Sequence, residues 1–450
     1  MQRLKLLGAF ALALFAARSA LAGPEIPGAP QAKPVALVGG TIYPVSGPAI
    51  ERGTLLFDSG KITALGVDAA VPEGAERIDA AGKHIYPGLI ESNSDLGLVE
   101  IDAVRATRDQ AETGAINPNV KAQIAFNPDS EQIPVTRANG ILLAAAVPSG
   151  GLLAGQSALM RLDGWTWEDM TQKSPLGLHI HWPAMTPAYN WRTADSAKDQ
   201  LEARDRQLAE LQQAFDDARA YHKAKDAAAA DGRPTPPADV RWEAMRPVLD
   251  GALPIIVSAD ELAQILAAAD FARREKLKLI IYGGYDAAEC ADVLKQLDAA
   301  VILAGVHRLP SRRHDAYDDP FTLPARLKSA GVKFCISSGD RRASMVRNLP
   351  NHAATAAAHG LSPEDALRSI TLWPAEILGV AEQVGSLAVG KEATLIVTDG
   401  DILEIPTQIE QAYVQGRTVD LDSRHKRLWR KYQEKYHRLP APAAGKPTGP

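Results

Sequence analysis

Apolar and polar positions alternate along residues 34–86, in VALVGGTIYP, GTLLFDSG, KITALG and AERIDAAGKHIYP, with Gly, Pro and Asp-Ser-Gly turns between them. A period of two with that punctuation predicts short strands, each with one buried face. The pattern returns near the C-terminus in GSLAVG, EATLIVTDG and IEQAYVQGRTVD. Strand-like segments at both ends predict a β-sandwich domain composed of residues 34–85 and 385–422.

Between them the pattern changes. GILLAAAVPSGG, LPIIV, LKLIIYGG, AAVILAG and GVKFCISSGD are near-continuous apolar runs, several followed by helix-period stretches such as ADELAQILAAADFARREK. Apolar runs without alternation fit parallel strands covered on both faces. Repeated strand–helix units over residues 86–384 predict an α/β fold, a TIM-like (β/α)8 barrel. A doubly wound open sheet is the alternative, but no G-x-G-x-x-G follows the first strand.

Residues 196–230 are a helical insert. Ser196 and Asp199 form a capping-box start, and Leu201, Leu208, Leu211 and Phe215 make one apolar stripe. The stripe predicts a surface helix packed on the barrel, with a coiled-coil contact as the other reading. Residues 423–450 read as a basic amphipathic helix, SRHKRLWRKYQEKYHRLP, and a disordered tail. That helix is either a solvated face or weakly attracted to an anionic membrane surface.

The N-terminus adds a destination. Arg3 and Lys5 precede the apolar run LLGAFALALFAA, and Ala20-Leu21-Ala22 is a small-x-small cleavage signal. Residues 1–22 therefore read as a signal peptide, residues 23–33 as a flexible linker, and the protein as exported, most simply to a periplasm. The run is short for a bilayer span, so stable membrane insertion after cleavage is not expected. A net charge of −5 argues against a nucleic-acid partner. Cys290 and Cys335 sit in apolar surroundings and read as buried free thiols.

Three stretches carry the candidate chemistry, and together they resemble the amidohydrolase superfamily, in particular its imidazolonepropionase-like branch. They are GTIYPVSGPAIERGTLLFDSGKITALG, HIYPGLIESNSD and LSPEDALRSITLWPAEILGVAEQVGSLAVGKEATLIVTDG. The resemblance covers roughly residues 34–422 and implies a barrel beside a composite sandwich. It also implies metal-assisted hydrolysis of non-peptide C–N bonds, often in cyclic amides. There a divalent metal activates water and an Asp on the last barrel strand takes its proton. The implied ligands are an H-x-H pair after strand 1, a carboxylated Lys or Glu on strand 4, and one His on each of strands 5 and 6.

This chain departs from that pattern. Asn93 and Asp95 replace the H-x-H pair, Ser258 stands in the strand 5 position and Gly283 in the strand 6 position. Only the strand 8 acid is kept, as Asp340, the expected general base. Two carboxylates and no His at the usual positions suit zinc poorly. No metal ligand is therefore assigned: a divalent metal is possible, Mg²⁺ or Ca²⁺ suiting the oxygen set better than zinc and only weakly, but none is expected at the usual site. Two carboxylates about 4 Å apart would repel by about 4 kcal/mol at an effective dielectric of 20, so Arg308, Arg341 and Arg342 are candidate partners. His179 and His181 form a new H-x-H in LHIHW. It is read either as a relocated metal site with Asp340 or Asp95, or as side chains of which one or both bond to backbone or cover the strand end. The expected pocket is thus Asn93, Asp95, His179, His181, Ser258, Gly283, Arg308 and Arg341 around Asp340. The loops HRLPSRRHDAYDDPF and PSGGLLAGQSALM could border it. Two functions remain open: a C–N hydrolase of small molecules with a lost or relocated metal site, and a catalytically inactive binding or scaffold protein, possibly paired with an active paralogue. Homo- and hetero-oligomers are both compatible with the sequence.

Overall fold

The computed structural model describes residues 26–188, 195–339 and 342–439. The expected signal peptide, the tail from 440, Asp340 and Arg341 lie outside the described residues. The first alternating segments form β1 (Val35–Ile42), β2 (Ile50–Asp58), β3 (Lys61–Gly66), β4 (Glu76–Asp79) and β5 (His84–Pro87). The middle region forms β6 (Leu89–Ser94), β7 (Ile141–Ala146), β8 (Leu153–Gln156), β9 (Ala158–Arg161) and β10 (Thr171–Lys173). It continues with β11 (Leu178–His181), β12 (Ile255–Ala259), β13 (Leu279–Gly283), β14 (Ala300–Leu303) and β15 (Lys333–Ile336). The last segments are β16 (Leu395–Thr398), β17 (Ile409–Val414) and β18 (Arg417–Thr418).

Both ends of the chain do share a sheet. The order is β18-β17-β16-β5-β1-β2-β3, with β4 also on β1. The junction is the antiparallel pair of β5 and β16, Tyr86 opposite Ile396. Leu37, Phe57, Ile85, Leu395 and Tyr413 are buried together on it, the last two aromatics edge to face. The expected sandwich is thus a single hydrogen-bonded sheet among the described residues.

The middle departs from a closed barrel. β11 to β15 are parallel neighbours in order, as their apolar runs predict. β6 and β7 are also parallel, but in a separate sheet. Residues 153–173 turn back instead of continuing the parallel order: β8 lies antiparallel on β11, and β9 antiparallel on β7. Nor does a ladder join β6 to β15. At one level, residues 369–370 sit in the seam, taking the N–H of Ile336 on Ser369 O at 3.0 Å and that of Ile90 on Ile370 O at 2.9 Å. The helix Ala197–Ala230 starts at the expected capping box of Ser196 and Asp199. Its stripe is buried at Leu211 and Phe215, and Phe215 meets Phe271 of the helix Leu262–Glu275. The packed-helix reading therefore accounts for the stripe. Both cysteines are buried free thiols.

Within residues 23–33, the expected linker, Gly28 and Gln31 bond to the rest of the fold. Gln31 donates to Phe57 O at 3.0 Å and accepts from the Gly60 N–H at 3.1 Å. The Gly28 N–H reaches both carboxylate oxygens of Asp163 at 3.3 Å. Asp163 is buried and also faces Arg137 at 3.6 Å and Arg417 at 3.2 Å. One carboxylate thus joins the N-terminal segment, the end of β9 and β18. Removing one partner from a buried charge cluster leaves the others uncompensated. Asp163→Asn is expected to lower stability by about 3–5 kcal/mol, measured by urea unfolding; a loss within error of zero would show that the cluster carries no weight.

Candidate active site

The sequence LIESNS of β6 places four polar residues, Glu91 to Ser94, in a fully buried strand. Burying a polar group without a partner costs roughly 1–3 kcal/mol in proteins, so each partner matters. Ser94 Oγ donates to Ala145 O at 2.9 Å, and Cys335 Sγ meets Ser92 Oγ at 3.5 Å. Glu91 accepts the N–H of Asn93 at 2.9 Å and, across the seam, the N–H of Ser338 at 2.8 Å. The Asn93 carboxamide is buried, and neither its oxygen nor its nitrogen has a partner among the described residues. Burial pushes the Glu91 carboxyl up to about 7, although the N–H groups it accepts pull the other way.

Asp95 follows on the same segment and accepts the Ala343 N–H. It therefore helps place the chain just beyond Asp340. Near the ends of β14 and β15, His352 accepts the N–H of Val306 at 3.0 Å and stacks on His307 with ring centroids 4.2 Å apart. Burial, then the neighbouring His307, depresses the His352 ring to about 3, so it stays neutral.

A second group forms at the ends of β12 and β13. Arg308 makes a bidentate pair with Asp260, at 3.1 and 2.9 Å, and lies 5.0 Å from the Tyr285 ring centroid. Arg308 is thus engaged by Asp260, where the sequence suggested Asp95 or Asp340. Burial opposes its charge, but the Asp260 bonds outweigh that and raise its pKa. Tyr285 donates to Asp315 at 2.8 Å in the charged loop after β14.

The other expected positions are spread out. Ser258 lies in register with His181 on one side and Tyr282 on the other, so these three share a face. His181 Nδ1 donates to Gly151 O at 3.1 Å, and buried His179 meets Ser157 Oγ at 2.8 Å. His181 thus bonds to backbone and His179 to a serine hydroxyl. Gly283 has φ +112, and a Cβ built there would lie 2.9 Å from Ala259 O. A His cannot take this position without moving the backbone. Among the described residues, no group of three or more His, Cys, Asp or Glu could hold a metal ion. The described residues matched to the implied zinc positions, Asn93, Asp95, Ser258 and Gly283, offer one carboxylate and no imidazole. A cavity of about 1220 Å³ opens at the opposite end of the strands, near Leu253, Val332 and Trp373. It lies away from Glu91 and from the loops that follow the strands, where this architecture places its chemistry.

Glu91, Asp260 and His352 were missed as site residues from sequence. For Glu91 a signal existed: it is an acid inside a strand that is otherwise apolar, small or amide-bearing. Asp260 and His352 gave none, since each depends on what the fold brings beside it.

The Amidohydrolase family model matches residues 166–421. The chain is 22% identical over 402 residues to amidohydrolase tasK of Hapsidospora irregularis, across 82% of this chain and 39% of that protein. It thus spans about two fifths of that curated relative. An amidohydrolase from Thermotoga maritima MSB8 superposes with a TM-score of 0.75 at 24% identity, covering 86% of this chain and 99% of that one. A prolidase complexed with N-methylphosphonate-L-proline gives 0.51 at 17% identity, over 86% and 100%. At these identities the two structures speak for the fold.

The raised Glu91 carboxyl has a measurable consequence. An unfolded Glu loses its proton near the ordinary 4.5, whereas the folded one keeps it to about 7. Between those values the native state binds more protons, so this group makes stability fall as pH rises, by about 3 kcal/mol in all. His352 acts oppositely between about 3 and its ordinary 6.5, where the unfolded state binds more protons. The comparison is therefore wild type against Glu91→Gln. The variant loses one acceptor at every pH, but the fall between pH 4.5 and 7 should vanish from its unfolding free energy. An unchanged pH slope would show that Glu91 does not hold a proton in the fold.

Proposed function

We propose, from the premise that this chain belongs to the amidohydrolase family, that it hydrolyses non-peptide C–N bonds of small cyclic amides without the family's usual binuclear zinc centre. The observation that carries this reading is the buried pair of Glu91 and Asn93 at the head of β6. A carboxyl held near neutrality can give or take a proton at working pH. A carboxamide without partners among the described residues can hold an amide by one donor and one acceptor.

In this reading Asp340 takes a proton from water as its oxygen attacks the amide carbon. Asn93 holds the amide, and Glu91 delivers a proton to the leaving nitrogen as the C–N bond breaks. Arg308, fixed by Asp260, stands at the rim to orient a polar substrate. The family fold supports reading residues 86–384 as a barrel opened at the β6–β15 seam and the terminal sheet as the small second domain. The leader-like N-terminus supports export to a periplasm.

The test is turnover of a panel of five- and six-membered cyclic amides by protein purified without chelators, with elemental analysis of the same sample. Hydrolysis without stoichiometric transition metal is expected. Asp340→Asn should lose about 100-fold or more in kcat, and Glu91→Gln should lose activity and flatten the pH–rate profile near 7. Stoichiometric, tightly held transition metal required for turnover would overturn the zinc-free reading. No hydrolysis of any amide would favour the binding protein.

A further inference from the structure

The C-terminal helix Arg424–His437 is not used by the site. Ser423 caps its start. The first turn is anchored by Arg427 on Glu131, at 3.0 Å, and by Arg347 donating to His425 at 2.8 Å. From Leu428 to Leu439 every residue is exposed. Large apolar groups are among them: Leu428 is 39% exposed, Trp429 61%, Tyr432 48% and Tyr436 66%.

At about 100° per residue, these four side chains fall within one arc of roughly 100°. The rest of the circumference is basic: residues 424–438 hold seven Lys and Arg against one Glu. The whole chain nevertheless carries −5, so the helix reverses the protein's sign locally. A 14-residue helix that lacks packing is marginal in water. This one lacks an apolar partner along most of its length.

We infer that this helix lies on an anionic phospholipid surface, with its aromatic stripe at the headgroup boundary and its lysines against the lipid phosphates. Trp and Tyr suit that boundary because each joins an apolar body to a polar tip. This favours lipid over nucleic acid, which would draw on the charge alone. No helix among the described residues is long and apolar enough to cross a membrane, so the contact is with the surface. Being held by its first turn, the helix can lie down without disturbing the rest of the fold.

The experiment is co-sedimentation of the full chain with phosphatidylcholine vesicles with and without 50% phosphatidylglycerol, at low and high salt. Two variants accompany it: Trp429→Ala/Tyr432→Ala/Tyr436→Ala, and Lys426→Glu/Lys431→Glu/Lys435→Glu. All share one N-terminus, so any contribution of residues 1–22 cancels. Binding to the anionic vesicles is expected to exceed binding to neutral ones by about tenfold or more and to fall with salt. Each variant should lose about tenfold or more, with its thermal unfolding unchanged. Equal binding to both vesicle types, or variants that bind like wild type, would overturn the proposal. So would a wild-type dimer that the aromatic variant converts to monomer, since a second copy would then cover the stripe.

Discussion

The Glu91 carboxyl spans a seam where backbone pairing is missing. One oxygen takes the N–H of its own strand at Asn93 and the other takes the N–H of Ser338 beyond β15. A buried acid in that place is costly, and burial dominates its proton affinity. The fold nevertheless places it there because two strand edges present donors that no ladder satisfies. The same group therefore links β6 to β15 and brings a near-neutral acid to the head of the strands. Asn93, Ser338 and the chain leading into Asp340 take their positions around it.

What could be read from sequence follows from which interactions are local. Alternation in VALVGGTIYP and EATLIVTDG reports a sheet with one buried face, and both stretches enter one sheet. Ser196 and Asp199 specify a helix start within four residues, and the box forms. The apolar runs of β12 to β14 carry no partner information, yet their order along the chain matches their order in space. Residues 153–173 depart from the barrel expected over 86–384 by pairing antiparallel, and so short a buried run does not announce its direction. The open seam was illegible because a missing ladder leaves no mark on either strand.

The candidate site divides the same way. Asn93, Asp95, Ser258 and Gly283 were identifiable as positions by their motifs, but their surroundings were not. Gly283 illustrates the difference. Its identity looked like a lost side chain; its positive φ and the nearby Ala259 carbonyl show a backbone that leaves no room for one. Arg308 was found as a cation near the strand ends, while its partner Asp260 is set by the loops after β12 and β14. His352 owes its neutrality to Val306 and His307, which only the folded chain brings beside it.

The shared terminal sheet also imposes an order of events. β5 completes its pairing only with β16, and Phe57 packs against Tyr413. These partners lie far apart along the chain, so β5 is made long before β16. Until the last strands emerge, β1 to β5 carry an open edge and an uncovered apolar face, which are aggregation hazards. So long-range a pairing closes late, and the entropy of that closure weighs on the folding rate. A chain built this way leaves its first strands waiting for distant partners, and in the interval their open edge depends on being kept apart from other chains.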